Sequence, residues 1–155
     1  MLGSGVMTEP LIASFMTPHP HTIRCEQDVE TAHRLMRQYG IRHLPVMDGE
    51  TVVGVVSQRD LRLFAGPDGE DPRTVTVGEG MTREIATVSP EMPLAAAARQ
   101  MASSRAGSVL VARAGHLIGI FTTTDALLAL GRLLESGHLD AVAGREVAAM
   151  TTRTR

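Results

Sequence analysis

The residues with the clearest chemical potential form two short motifs, each pairing a hydroxyl with a carboxylate. Ser57 stands three residues before Asp60, and Thr122 stands three residues before Asp125. Where a strand meets a helix, this spacing forms a capping box in which both side chains bind free backbone N–H groups. A carboxylate at a helix N-terminus facing a cleft can also accept both hydroxyls of a ribose, and the N–H groups beside it favour a phosphate. The residues alone therefore leave two interpretations open, a helix cap and a nucleotide site.

The two motifs belong to a tandem duplication. Asp60 and Asp125 are 65 residues apart, and the same offset aligns Gly54 with Gly119 in the apolar runs that precede them. The helical and extended segments before each motif keep this offset without a gap, which indicates a structural repeat. Each glycine could admit a flat ring to the backbone, or mark a bulge or a close packing contact.

Each repeat must therefore supply the elements that position its motif. In the first repeat, a helix is predicted to begin after Asp28, a candidate N-cap, and to end at Gly40. A strand follows from His43 to Met47, where Pro45 suggests a sheet edge or a strand end. A turn leads into a returning strand over residues 51–56, and a second helix begins at the motif.

A unit of strand, helix, two strands and helix buries only one face of its sheet. Two such units can stack their sheets and leave the helices outside. The prediction is an α+β fold of two β-α-β-β-α repeats with pseudo-two-fold symmetry, a four-layer α/β/β/α sandwich with a cleft between the halves. The predicted organisation is an N-terminal segment (1–14), repeat 1 (15–66), a linker with the strand that enters the second repeat (67–79), repeat 2 (80–132), and a C-terminal helix and tail (133–155).

The composition excludes several classes of protein. A formal charge of −2 argues against a general nucleic-acid binder, and 43% hydrophobic residues argue against disorder. The single cysteine fits a reducing compartment, and no apolar run reaches the length needed to cross a bilayer. We expect a cytoplasmic protein that binds neither nucleic acid nor a membrane.

Other chemically active residues give weaker signals. His19, His21 and Cys25 lie close together, but no fourth metal ligand is evident and the neighbouring prolines favour a solvated loop. No base is nominated that would make Cys25 a nucleophile, and there is no P-loop or G-x-G-x-x-G motif. We expect no catalytic residue, no metal site and no catalytic cofactor, so the protein is predicted not to be an enzyme.

The segment from Ala126 to Leu134 is apolar nearly all round when drawn as a helix. One face can pack on its own sheet, which leaves a second apolar face in water. We expect a homodimer to cover that face, since two-fold dimers are the commonest solution. The alternative is that the segment from Asp140 to Met150 folds back over it.

Taken together, these motifs resemble a tandem pair of CBS domains, the Bateman module. The resemblance covers roughly Phe15 to Leu130 and rests on Met16-Thr17, Gly40-Ile41-Arg42-His43-Leu44-Pro45-Val46, Gly54-Val55-Val56-Ser57-Gln58-Arg59-Asp60-Leu61 and their second copies. It implies disc-like dimers and an adenosyl ligand in the cleft, such as AMP, ADP, ATP, S-adenosylmethionine, NAD or a cyclic dinucleotide. It also implies regulation of another protein.

The resemblance also implies roles for individual residues. Asp60 and Asp125 would bind the ribose, and Ser57 and Thr122 would assist at the ribose or phosphate. Pairs on the neighbouring strands would contact the adenine through backbone and apolar groups, and two basic positions would contact the phosphate. The complete implied set is Thr22, Ile23, Arg42, His43, Leu44, Pro45, Ser57, Arg59, Asp60, Thr87, Val88, Val109, Leu110, Thr122, Thr124 and Asp125.

The two copies differ where charge matters. The counterparts of Arg42 and Arg59 are Gly107 and Thr124, and the counterpart of His43 is Ser108. The first copy therefore holds the cationic residues, which predicts one better phosphate site at Asp60. The second site would be weaker, empty or suited to a less charged ligand. The alternative for both arginines is ordinary solvated surface charge.

We therefore expect a stand-alone tandem CBS protein that is homodimeric and binds an adenine nucleotide or an S-adenosylmethionine-like regulatory ligand. Ligand binding would shift a conformational equilibrium and signal to an unidentified regulated protein. The alternative is a ligand-free structural or dimerisation module whose motifs are only helix caps. An enzyme would need a clustered base and nucleophile in the cleft, and the sequence offers none.

Overall fold

Each half of the chain folds into a small sheet covered by helices. The computed structural model describes residues 8–64 and 69–137, so part of the linker and the segment from Asp140 to Met150 lie outside the described residues. After a 3-10 turn, Ile12–Ser14, the elements are β1 (Thr17–Pro18), β2 (Ile23–Arg24), α1 (Val29–Tyr39), β3 (His43–Asp48), β4 (Thr51–Ser57), α2 (Gln58–Phe64), α3 (Val77–Gly80), β5 (Thr87–Val88), α4 (Leu94–Ser104), β6 (Ser108–Arg113), β7 (His116–Thr122) and α5 (Thr123–Glu135).

The strands form a three-stranded sheet, β2-β3-β4, and a four-stranded sheet, β1-β7-β6-β5. Strand β3 is the central strand of its sheet, so the prediction that Pro45 marks an edge or a strand end is wrong. Strand β2 pairs with β3 only from Ile23 opposite Val46, so its ladder stops before Pro45. In the second repeat the equivalent Leu110 N–H donates to Ala86 O, a bond that proline cannot make.

The two repeats exchange their leading segments. Strand β1, from the first repeat, pairs antiparallel with β7 of the second, with Thr17 opposite Ile120. Reciprocally, the N–H groups of Val55 and Thr82 each donate to the other's carbonyl, at 3.0 and 2.9 Å. The strand predicted within residues 67–79 is absent from 69–79, which hold a turn and the start of α3. Each sheet is therefore completed by the other repeat.

Three apolar clusters hold the layers together. One joins β2, β3 and β4 to α1, α2 and α3, and a second joins β6 and β7 to α4 and α5. The third lies between the sheets, where Val55 of the first packs with Leu110 and Ile120 of the second. This arrangement confirms the predicted α+β sandwich of four layers.

The repeated glycines are packing positions. A Cβ on Gly54 would lie 2.6 Å from Met81 Sδ and 2.8 Å from the backbone oxygen of Thr82, and a Cβ on Gly119 would overlap Met16 Sδ. These neighbours belong to the exchanged segments. Of the interpretations offered for the glycines, the structure supports both the close packing contact and the bulge, because a register shift adjoins the strand partner of each glycine.

Helix α1 begins and ends as predicted, and its cap makes a testable contribution to stability. The Asp28 carboxylate accepts from the Thr31 N–H at 2.7 Å, and Gly40 closes the helix in the left-handed conformation at φ 64°. We expect Asp28→Ala to lower the free energy of unfolding by about 1 kcal/mol and the melting temperature by about 2–4 °C. Asp28→Asn, which keeps an acceptor, is the control for thermal unfolding. Equal losses in the two variants would contradict the capping role.

Candidate functional site

A cavity of about 940 Å³ lies between the repeats, at the motif of the first repeat. Its walls come from both repeats, because the segment that leads into β5 runs beside β4. The first repeat contributes Arg42, His43, Val55, Ser57, Gln58, Arg59, Asp60 and Arg62, and the second contributes Thr82, Glu84, Ile85, Ala86, Gln100, Ser104, Arg105, Ala106, Gly107 and Ser108.

The first motif is a complete capping box that uses only one carboxylate oxygen. Asp60 Oδ2 accepts from the Ser57 N–H and from Ser57 Oγ, both at 2.7 Å, while the Asp60 N–H donates to Ser57 Oγ at 3.1 Å. No hydrogen bond from another described residue reaches Asp60 Oδ1. The cap interpretation is therefore confirmed, and it leaves one carboxylate oxygen, with two lone pairs, to accept from ligand hydroxyls.

The second motif has the same cap but a different outer oxygen. Asp125 Oδ2 accepts from the Thr122 N–H at 2.8 Å and from Thr122 Oγ1 at 2.9 Å. Asp125 Oδ1 accepts from Thr17 Oγ1 at 3.0 Å, across the β1–β7 exchange. Both oxygens of this carboxylate are therefore occupied by the chain itself.

An aromatic pair also distinguishes the two motifs. The rings of His21 and Tyr39 are stacked, with centroids 3.6 Å apart and planes 11° from parallel. Sixty-five residues later their counterparts are Ala86 and Ser104, two small residues that line the cavity. The positions of the first repeat that correspond to these two cavity-lining residues therefore hold a stacked pair of large rings.

His43 lies between the two motifs. Burial lowers the pKa of His43, and Arg42 lowers this pKa further, while Asp60 and Asp125 raise it by their charge. The ring packs beside Gly107, where an added Cβ would stand 2.8 Å from His43 Nε2. The divergence between the copies is therefore complementary, because the small residue of one copy makes room for the large residue of the other.

This burial predicts a pH dependence of stability. Since the pKa of His43 is lower in the folded chain than its ordinary value of about 6.5, the unfolded chain binds the proton first as the pH falls. The contribution of neutral His43 to the free energy of unfolding is fully present above about pH 6.5. It is lost progressively as the pH falls below this value, until His43 is protonated in the folded chain as well. We expect the melting temperature of His43→Gln to fall less than that of the wild type between about pH 7.5 and about pH 5.5. A steeper fall in the variant would contradict the assignment.

Four arginines line the cavity, namely Arg42, Arg59, Arg62 and Arg105. None forms an ion pair with another described residue, whereas Arg24, Arg37, Arg73 and Arg113 pair with carboxylates elsewhere. Arg105 ends α4 in the left-handed conformation at φ 54°, where α1 ends with Gly40. A non-glycine residue in this conformation is strained by about 1–2 kcal/mol.

The structure brings together five of the predicted site residues, Arg42, His43, Ser57, Arg59 and Asp60. The adenine contacts implied for Ile23, Leu44, Val109 and Leu110 stay predictions. Their side chains are at most 2% exposed and belong to the apolar clusters, which leaves the backbone for such contacts. Thr22, Pro45, Thr87 and Val88 also lie outside the cavity lining, and Thr122, Thr124 and Asp125 belong to the second motif.

Sequence reasoning missed the wall supplied by the second repeat. Ile85 and Ala86 form an apolar part of the cavity wall near the first motif. Glu84 and Arg105 add charged groups to the same wall. The 65-residue offset shows that two copies exist, but it carries no signal that their leading segments cross. The change from Gly40 to Arg105 at the end of a helix was the available clue.

Metal-binding side-chain groups and membrane-spanning helices are both absent from the part of the chain that the structure describes. No group of three or more His, Cys, Asp or Glu side chains is placed to hold a metal ion there. Within the same residues, every helix is too short or too polar to cross a bilayer.

Comparison with known proteins gives a consistent family match. The family model described as CBS domain matches residues 12–65 and 75–132. The chain is 35% identical over 113 residues to inosine-5'-monophosphate dehydrogenase of Korarchaeum cryptofilum, covering 72% of this chain but 22% of that enzyme. It is 28% identical to the CBS domain-containing protein YhcV of Bacillus subtilis, covering 71% of this chain and 78% of that protein.

Solved structures give the same result. A Vibrio cholerae protein assigned to acetoin utilization (AcuB) superimposes with a TM-score of 0.74 at 30% identity, covering 82% of this chain and 94% of that one. CBSX2, a protein of Arabidopsis thaliana solved in complex with AMP, superimposes with a TM-score of 0.66 at 29% identity. That comparison covers 79% of this chain and 97% of the other.

Proposed function

The chain belongs to the CBS-domain family as a tandem pair of domains, and from that premise we propose that it is a regulatory module that binds an adenosine-containing ligand. The ligand would occupy the cavity at Asp60, an AMP-, ADP- or ATP-like compound or one related to S-adenosylmethionine. We take residues 15–66 and 80–132 as its two repeats and propose a cytoplasmic location.

One observation supports this proposal above the others. Asp60 has a carboxylate oxygen that no described residue engages, and it faces a cavity of about 940 Å³ lined by four unpaired arginines. A carboxylate that accepts ribose hydroxyls and guanidinium groups that bind phosphate together recognise a nucleotide. The relative CBSX2, solved with AMP, supports the same class of ligand.

The walls of the cavity suggest how binding would be transmitted. Because both repeats line the cavity, a bound ligand would contact both and favour one arrangement of the two sheets. The module would then regulate a partner protein without catalysing a reaction. The dehydrogenase relative extends far beyond the region that resembles this chain, so its activity is not part of the proposal.

A thermal-shift series with adenosine, AMP, ADP, ATP and S-adenosylmethionine tests the proposal. A ligand that binds only the folded chain stabilises it by about 2.7 kcal/mol at a hundredfold excess over its Kd. At least one of the five compounds should raise the melting temperature. If none does so at millimolar concentration, the module is a ligand-free structural or dimerisation unit.

We also propose that the module is a homodimer. Leu63 on α2 and its counterpart Leu128 on α5 are 79% and 59% exposed, and Leu127, Leu130 and Leu134 extend this surface. Equivalent exposed leucines on both repeats suit a two-fold interface. Light scattering should give twice the 16.6 kDa chain mass for the wild type and a monomer for Leu128→Arg. A monomeric wild type would favour cover by the segment from Asp140 to Met150, which lies outside the described residues.

A further inference from the structure

We propose that the Asp60 cavity selects phosphorylated nucleosides over uncharged or cationic adenosyl compounds, and that Arg105 of the second repeat is the specificity-determining residue. This inference rests on the proposed function and narrows its ligand class. It assigns a phosphate-binding role to a residue outside the two hydroxyl–carboxylate motifs.

The first support is charge. Arg42, Arg59, Arg62 and Arg105 outnumber the two carboxylates of the cavity, Asp60 and Glu84. No described carboxylate pairs with any of these guanidinium groups, so their N–H donors remain free. Guanidinium groups bind phosphate oxygens in pairs of hydrogen bonds. S-adenosylmethionine carries a positively charged sulfonium group, which would be repelled by the arginines of the cavity wall.

The second support is the backbone of Arg105. This residue adopts φ 54° at the end of α4, whereas the same position in α1 is Gly40 at φ 64°. Its N–H donates to Ala102 O and Met101 O, which are backbone bonds that any residue could make. The helix end therefore does not require an arginine, and glycine would adopt the conformation without strain. A strained backbone conformation at a cavity-lining residue is typical of a functional site, so the Arg105 side chain is inferred to have a function in the cavity.

The third support is position. Arg42, Arg59 and Arg62 come from the first repeat, and Arg105 comes from the second. A phosphate held by both sets would lie at the junction of the repeats, while Asp60 holds the ribose on the wall of the first. Arg105 would thus connect ligand binding to the second repeat.

The test is the substitution Arg105→Gly, which installs the residue found in the first repeat. Isothermal titration with adenosine, AMP, ADP, ATP and S-adenosylmethionine would be combined with thermal unfolding. We expect the wild type to bind the three phosphates at least about tenfold more tightly than the other two compounds. Arg105→Gly should lose about tenfold in affinity for the phosphates and retain adenosine affinity within about twofold. Its melting temperature should stay equal or rise by about 2–4 °C.

Arg99→Ala is the matched control, since it removes one positive charge from an exposed position on α4 outside the cavity. Unchanged nucleotide affinity in this control would support a local role for Arg105. The inference is overturned if Arg105→Gly weakens adenosine and the phosphates equally, or weakens neither. If adenosine or S-adenosylmethionine binds as tightly as AMP, the inferred selectivity for phosphorylated nucleosides is wrong. The proposed function as a module that binds an adenosine-containing ligand would still hold. If no compound binds, both fail.

Discussion

Replacing Asp60 with asparagine is expected to lower nucleotide affinity about a hundredfold, whereas the same change at Asp125 should leave it within about twofold. Two hydrogen bonds from ribose hydroxyls to a charged carboxylate account for an effect of this size. Asp60 Oδ1 is free to accept such bonds, while Asp125 Oδ1 is occupied by Thr17 Oγ1. Titration with AMP or ATP measures both affinities.

The pair of variants is matched because both aspartates close the same capping box. Loss of the cap itself should therefore lower the two melting temperatures alike, and Asp125→Asn also alters the acceptor of the bond from Thr17. The difference in nucleotide affinity, rather than in melting temperature, reports the ligand site. A larger loss at Asp125 would place the ligand at the second motif. Equal losses would indicate that both motifs bind nucleotide.

Gly54→Ala is expected to destabilise the fold by about 2–3 kcal/mol, and more than Gly119→Ala. The added methyl at Gly54 meets the Thr82 backbone oxygen at 2.8 Å, where Val55 and Thr82 are hydrogen-bonded to each other. At Gly119 the three atoms nearest the added methyl all belong to the flexible Met16 side chain. A hydrogen-bonded backbone segment moves less readily to make room for a methyl group than a flexible methionine side chain does.

Urea unfolding of the two variants measures the difference. The free energy of unfolding and its dependence on urea are compared with those of the wild type. A smaller loss for Gly54→Ala than for Gly119→Ala would show that the exchanged segment at Thr82 can move away. An unchanged wild-type stability in both would contradict the packing role of the glycines.

The fold was largely predictable because the duplication is visible residue by residue. Helix α1, with Asp28 as its cap and Gly40 as its end, follows from local hydrogen-bonding preferences that need no tertiary context. The two sheets follow from the need of each repeat to bury its apolar face. Pro45 was misplaced because proline restricts a strand only where a ladder partner exists, and β2 stops short of it.

The site was predictable only in the half that one repeat supplies. Asp60 and Arg59 follow from a local motif, and the structure places both in the cavity. The base contacts that the resemblance implies for Ile23 and Leu44 stay predictions. Their side chains are buried in the core, and an apolar pattern alone does not distinguish a cavity wall from a core. Arg105 depends on which segments cross, which is a tertiary property.

The exchange of leading segments makes the two repeats one cooperative unit. Strand β1 completes the second sheet, and Thr82 bonds to the first. Neither repeat can therefore close its own sheet edge, and the connection between α2 and α3 keeps the two at a high effective concentration. Cleavage of that connection would turn folding into a bimolecular association, in which stability depends on protein concentration. A single repeat expressed alone would meet the same need by pairing with a second copy of itself.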